Sequence, residues 1–345
     1  MSRRNARFTI AAVLLVAFAL ALAVAACGDD GSTTTSTPSG SATPTAASPG
    51  ASAGSVHSGA IVYSRLWPNE GIDVCLINTD GTGSKELTQG GEAKKVSEGA
   101  TWSPDGTSIT YHAGDTISST PDVWVMNADG SKKRQLTHAR LGGLWPAFSR
   151  DGMRIAYCSF FYPPDRFPPA HIYVMNADGS DSRQVTRGKG NDMLPTWAPD
   201  GRIFFLRKPW NVGWDGPDGD VWAVRPDGSG LVRVTKLGHV GGFGLSPDGR
   251  TLAIHDTEQR QIVTVPVDGS ETPVTLVDTD FELDLVQPAW SPDGQALALA
   301  HSDLMTPASV YDAASLGLWV VNADGSGLTT VPNAEGVISI AWRPE

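Results

Sequence analysis

Charge is scarce in this sequence. Only 18% of its 345 residues are Asp, Glu, Lys or Arg, and 37 acids against 26 bases give a formal net charge of −11. No extended Lys/Arg tract occurs, so the electrostatic footprint of a nucleic-acid binder, or of a protein docked on anionic lipid, is missing. Cysteine occurs only three times. Gly (38), Pro (24) and Trp (11) are plentiful, beside 40% hydrophobic residues. That mixture builds short strands joined by turns rather than long helices. The length alone would suit two domains, but β architectures often run this long as one.

The N-terminus reads as an address. Arg3, Arg4 and Arg7 precede an uncharged, Ala/Leu/Val-rich run from Phe8 to Ala26, which ends in Val24-Ala25-Ala26-Cys27. A basic region, an apolar core and small residues before a cut site describe an export signal. The Cys after those small residues resembles the lipobox of bacterial lipoproteins. That resemblance implies a signal peptide over 1–26, acylation of Cys27 and anchorage to the outer face of the cell membrane or envelope. An uncleaved membrane anchor is the alternative: the run is long enough, but so Ala-rich a segment inserts weakly. Ser2-Arg3-Arg4 hints at twin-arginine export, and the route stays open. From Cys27 to Ser58 the chain is almost entirely Ser, Thr, Pro, Gly and Ala, so this segment is expected to be a disordered tether.

Internal repetition organises residues 59–345. One motif reads Trp102-Ser103-Pro104-Asp105-Gly106, Phe148-Ser149-Arg150-Asp151-Gly152, Trp197-Ala198-Pro199-Asp200-Gly201, Leu245-Ser246-Pro247-Asp248-Gly249 and Trp290-Ser291-Pro292-Asp293-Gly294, with a truncated copy at Trp342-Arg343-Pro344-Glu345. A second alternates with it and centres on Asp80-Gly81, Asp129-Gly130, Asp178-Gly179, Asp227-Gly228, Asp268-Gly269 and Asp324-Gly325, its glycines 49, 49, 49, 41 and 56 residues apart. This is the period of propeller blades. Pro fixes φ in such a turn, Asp stabilises it locally and Gly takes the left-handed position that closes a hairpin.

Apolar strands flank both motifs, and a small residue (Thr101, Ala147, Thr196, Gly244, Ala289, Ala341) precedes each motif aromatic. We read that strand as innermost, crowded at the central axis. The first repeat starts at Ile61-Val62-Tyr63 without an innermost strand, and Val337 to Trp342 supplies one from the C-terminus. The expectation is an all-β, six-bladed β-propeller with four antiparallel strands per blade, its N- and C-terminal strands completing one blade. Cys75 and Cys158 fall in non-adjacent blades and are expected to be buried thiols.

These repeats resemble those of TolB and of prolyl-oligopeptidase-type propellers over residues 59–345. TolB carries an additional α/β domain before its propeller, a place taken here by tether and signal. Peptidases with such propellers add an α/β-hydrolase domain, and residues 59–345 contain no Gly-x-Ser-x-Gly.

The long connections are where binding is expected. Candidate ligand-binding residues are Trp67, Tyr162, Arg166, Trp210 and Trp214, whose aromatic and charged mixture suits protein or carbohydrate, or which cap the core beneath long loops. His112, His255 and His301 end or follow second strands, toward the same face. Were they to converge, a metal-dependent lyase or lactone hydrolase would be the alternative; no acid or His recurs at one place in every blade, so no metal site is assigned. The Asn-Ala-Asp-Gly turns lack the further acids of a calcium loop, and no cofactor is called for. A non-catalytic recognition or scaffold module is expected, monomeric, partnered by an envelope protein or carbohydrate and not by nucleic acid. An envelope-linking role of the Tol kind is the third reading.

Overall fold

The computed structural model describes residues 59–67, 71–88, 95–115, 121–138, 142–159, 169–209, 219–270, 272–278, 287–302 and 316–344. The proposed signal, Cys27 and the tether lie outside the described residues. Everything described that is regular is β.

The chain opens with β1 (Ala60–Trp67), β2 (Gly71–Asn78) and β3 (Lys85–Glu86), followed by β4 (Lys95–Trp102), β5 (Ser108–Asp115), β6 (Asp122–Asn127) and β7 (Arg134–Gln135). Next come β8 (Leu144–Phe148), β9 (Arg154–Ser159), β10 (His171–Asn176) and β11 (Arg183–Gln184), then β12 (Gly190–Trp197), β13 (Ile203–Pro209), β14 (Asp220–Val224) and β15 (Val232–Arg233). They are followed by β16 (Val240–Leu245), β17 (Thr251–Asp256), β18 (Gln261–Pro266) and β19 (Val274–Asp278). The last are β20 (Ala289–Trp290), β21 (Ala296–Ser302), β22 (Leu316–Asn322), β23 (Thr329–Glu335) and β24 (Val337–Trp342).

Four sheets of four antiparallel strands, β8–β11, β12–β15, β16–β19 and β20–β23, are propeller blades. The remaining strands form one eight-stranded sheet. Within it β24, β1, β2 and β3 are antiparallel neighbours, as are β4 to β7, and a single parallel pairing, Ile72 with Val96, joins the two halves. The C-terminal β24 pairs with the N-terminal β1, Ile61 opposite Trp342, so chain ends close on each other.

The two motifs make the turns. Ser103 Oγ donates to Asp105 Oδ1 (2.6 Å) and accepts from the Ser108 amide, while Asp105 Oδ1 also accepts from the Thr107 amide. These hydrogen bonds, that of Ser103 foremost, hold the Asp105 carboxyl below its ordinary range. In the second motif Asp129 Oδ1 accepts from the Ser131 amide, and Gly130 closes the turn at φ 82°, which only Gly adopts without strain.

Apolar seams fill the space between neighbouring sheets. One joins Val62, Val74 and Leu87 to Trp102, Ile109 and Met126; another joins Val123 to Ile155 and Tyr157; the largest runs through β8–β18. Residues of β20–β22 pack on β16–β19 and on β1, β2 and β24. Because each sheet is covered on both faces, its inner strands are continuous apolar runs. Cys75 and Cys158 are buried free thiols.

Candidate functional site

The innermost strands line an axial channel of about 550 Å3, and every small residue preceding a motif aromatic is on its wall. Gly244 shows why smallness is required, since a Cβ there would fall 2.0 Å from the Pro288 carbonyl oxygen. Each indole then staples one innermost strand to the previous one. Trp102 Nε1 donates to Ala341 O (3.2 Å), Trp197 to Ala147 O (3.1 Å), Trp290 to Gly244 O (3.2 Å) and Trp342 to Ala289 O (2.9 Å). Each of these indoles thereby satisfies its N–H on a backbone carbonyl. Phe148 and Leu245 occupy the same place without a donor.

Opposite the Asp-Gly turns lies the face of the long connections, where three acid–His pairs form. Glu98 and His112 face each other on β4 and β5, with Oε2 and Nε2 3.8 Å apart. A bulge between Glu98 and Thr101 sets that register. His112 is wholly buried, and its Nδ1 accepts from the Trp145 amide (3.3 Å), so Nε2 carries the proton. Trp145 reaches it from the left-handed region, at φ 49°, with its ring edge-on to the imidazole. Burial pushes the His112 pKa down to about 3 and that of Glu98 up to about 7. Both groups are therefore neutral in mildly acidic solution.

The second pair bridges two blades. Asp192 on β12 is wholly buried and takes a bidentate contact from Arg207 of β13, Nε to Oδ1 at 2.5 Å and Nη2 to Oδ2 at 2.8 Å. The guanidinium also lies 4.9 Å from the centre of the Trp222 ring. His171 of β10 points Nδ1 at Asp192 Oδ2 from 3.6 Å. The third pair is His239 with Asp256, at 2.7 Å.

Of the residues singled out from sequence, Trp67 ends β1 with the Arg65 guanidinium 3.8 Å above its ring centre. His112 is occupied by Glu98 and Trp145, whereas His255 is buried on β17, opposite Gly242 of β16. Nothing described brings His112 and His255 together, and no group of three or more His, Cys, Asp or Glu suited to a metal exists among the described residues. His301 pairs with Gly317 of β22 through its backbone. Tyr162, Arg166, Trp210 and Trp214 lie outside the described residues, in the connections bounded by Ser159 and Pro169 and by Pro209 and Gly219.

Glu98, Asp192, Arg207 and Asp256 were not singled out. One signal was available: Asp73, Asp122, His171 and Asp220 recur every 49 residues, as do Thr88, Thr137, Thr186 and Thr235. These Asp carboxylates accept from the matching Thr hydroxyls, and each Thr in turn accepts a strand amide. The series latches outer strands together, and His171 stands where its neighbours have Asp.

Many solved structures share the fold, three of them as follows. TolB from Acinetobacter baumannii aligns at a TM-score of 0.65 with 19% identity, over 83% of this chain and 67% of that one. A chain of a Nidogen/Laminin complex aligns at 0.61 with 12% identity, over 83% and 98%. A putative TolB from Agrobacterium tumefaciens aligns at 0.56 with 18% identity, over 85% and 100%. No curated protein sequence matches the chain. The family described as TolB beta propeller domain matches residues 72–345. That span is most of the chain, and its strands and turns are those just described: the chain belongs to the TolB β-propeller domain family.

Proposed function

We propose that this is an exported, lipid-anchored, six-bladed propeller that recognises a protein or carbohydrate and carries out no chemistry itself. The count of six treats the eight-stranded sheet as two blades, supported by the lone parallel pairing between its halves. The reading is carried by how the ring uses its aromatics: four motif indoles hold innermost strands together. The result is a stiff frame, and variation is left to the connections beside Trp67 and to those holding Tyr162, Arg166, Trp210 and Trp214. A relative found in a Nidogen/Laminin complex supports protein as the partner class. His112, His255 and His301 belong to the same face, and acylated Cys27 with its tether raises local concentration at the envelope.

Two measurements test this. Cys27→Ala is expected to move the protein from the membrane to the soluble fraction; unchanged membrane association removes the lipid anchor. Trp210→Ala with Trp214→Ala is expected to lose partners captured by the parent from envelope extracts. Capture of the same set by both proteins removes the aromatic surface.

The family match favours a second reading, an envelope-linking role of the Tol kind. Deleting the gene without any envelope defect counts against it.

A further inference from the structure

The Asp-Gly turn face, opposite the long connections, carries a groove of about 520 Å3 between the Ser103–Gly106 and Ser149–Gly152 turns. That size suits a small molecule. Lys132, Arg134 and Arg150 border it. None of the three forms an ion pair among the described residues: Arg134 Nη1 donates to Asp178 O (2.8 Å) and Arg150 Nη2 to Pro247 O (3.2 Å), both backbone carbonyls. Two acids also border the groove, but they are turned to their own hairpins. Asp105 Oδ1 is held by Ser103 and Thr107, and Asp151 by Ser149, the Met153 amide and Arg154.

The repeats within the chain show which of these cations the fold does not need. Where Arg150 stands, the other copies have Pro104, Pro199, Pro247, Pro292 and Pro344. Where Lys132 stands, the other copies have Gly83, Asp181, Gly230, Glu271 and Gly327. The glycines hold φ of 66° to 69°, and Lys132 and Asp181 hold 52° and 54°, a left-handed conformation that an L side chain rarely adopts. So two positions of one groove carry a positive charge that no other copy has there. Arg134, by contrast, repeats a bridge that Lys85 makes to Asp129 O.

We propose that this groove binds a small ligand bearing two or more oxyanion groups, phosphate or carboxylate, with Lys132 and Arg150 as its charge-reading residues. Guanidinium N–H groups not used on the carbonyl are free to fork onto such a group. The protein carries a net charge of −11, so its overall field repels the ligand and the groove must hold it at short range.

The test is calorimetric titration of the full-length chain with pyrophosphate and with citrate, which separate phosphate from carboxylate chemistry. Lys132→Gly installs the residue used by three other repeats, and Arg150→Gln keeps an amide for Pro247 O, so both are expected to fold. Thermal unfolding checks that they do. Saturable 1:1 binding of at least one anion is expected, weakened about tenfold or more by either substitution. Lys133→Ala, outside the groove, is expected to bind as the parent does. No saturable binding of either anion, equal binding by both groove variants, or equal weakening by Lys133→Ala overturns the proposal.

Discussion

Replacing Glu98 by Gln removes a pH dependence built into the inner wall of the ring. Burial raises the Glu98 carboxyl from its ordinary 4.5 to about 7. Between those values the folded state binds a proton that the unfolded chain releases. The sign follows: the contribution of Glu98 is fully present below pH 4.5 and is lost as pH rises through 7. At about 1.4 kcal/mol per pH unit the full effect is roughly 3 kcal/mol. Gln is isosteric with the protonated acid and cannot ionise. Its stability relative to the parent is therefore expected to rise from pH 5 to pH 8 by up to about 3 kcal/mol. His112 works in the opposite sense: its lowered pKa makes stability fall as pH drops below 6.5 toward 3. Subtracting variant from parent at each pH cancels that contribution. Urea unfolding at pH 5, 6, 7 and 8 reads the difference, and parallel curves for the two proteins refute a buried, proton-holding Glu98.

Three further outcomes follow from the geometry. Trp102→Phe keeps one aromatic ring but removes the pyrrole part and its N–H from Ala341 O, and is expected to cost upward of about 1 kcal/mol in urea unfolding, since the truncated ring also leaves a gap. Gly244→Ala places a methyl 2.0 Å from Pro288 O and is expected to cost about 1–3 kcal/mol, read as a lower melting temperature. Asp192→Ala leaves Arg207 without its carboxylate in a largely buried place. About 3–5 kcal/mol is the expected loss by thermal unfolding, and a neutral result would show that Arg207 reaches solvent.

Much of the frame was legible because each repeat announces itself with local chemistry. Asp-Gly must turn, a strand beside the axis must be thin, and an indole must find an acceptor. The pairing of the chain ends was legible for the same reason, since the first repeat lacks what Val337 to Trp342 supplies. The acid–His pairs were not legible. Glu98 meets His112 only because a bulge shifts the register between Glu98 and Thr101, and a shift of one residue sends a side chain to the other face. Sequence spacing carries no such information. Asp192 and Arg207 meet across β12 and β13, with His171 arriving from another blade. Net charge misled in a different way: an average of −11 hides Lys132-Lys133-Arg134.

A repeat protein carries its own control, because each blade shows what the fold alone demands at a position. By that measure several departures toward charge or strain fall together. Lys132 and Arg150 flank the turn-face groove, Trp145 and Leu194 hold left-handed backbone on innermost strands, and His171 replaces an Asp of the latch series. All five lie on β8, β10 and β12 or in the turns beside β7 and β8. Left-handed Trp145 has an identified purpose, presenting its amide to His112. Backbone strain persists only where surroundings over-determine it, and the later blades hold it too: Arg260 (φ 55°) stands between β17 and β18 and Asn333 (φ 62°) on β23. The cationic groove opens on the turn face beside those departures. Strain alone therefore does not mark one arc; the positive charges of Lys132 and Arg150, absent from every other copy, are what set that part of the ring apart.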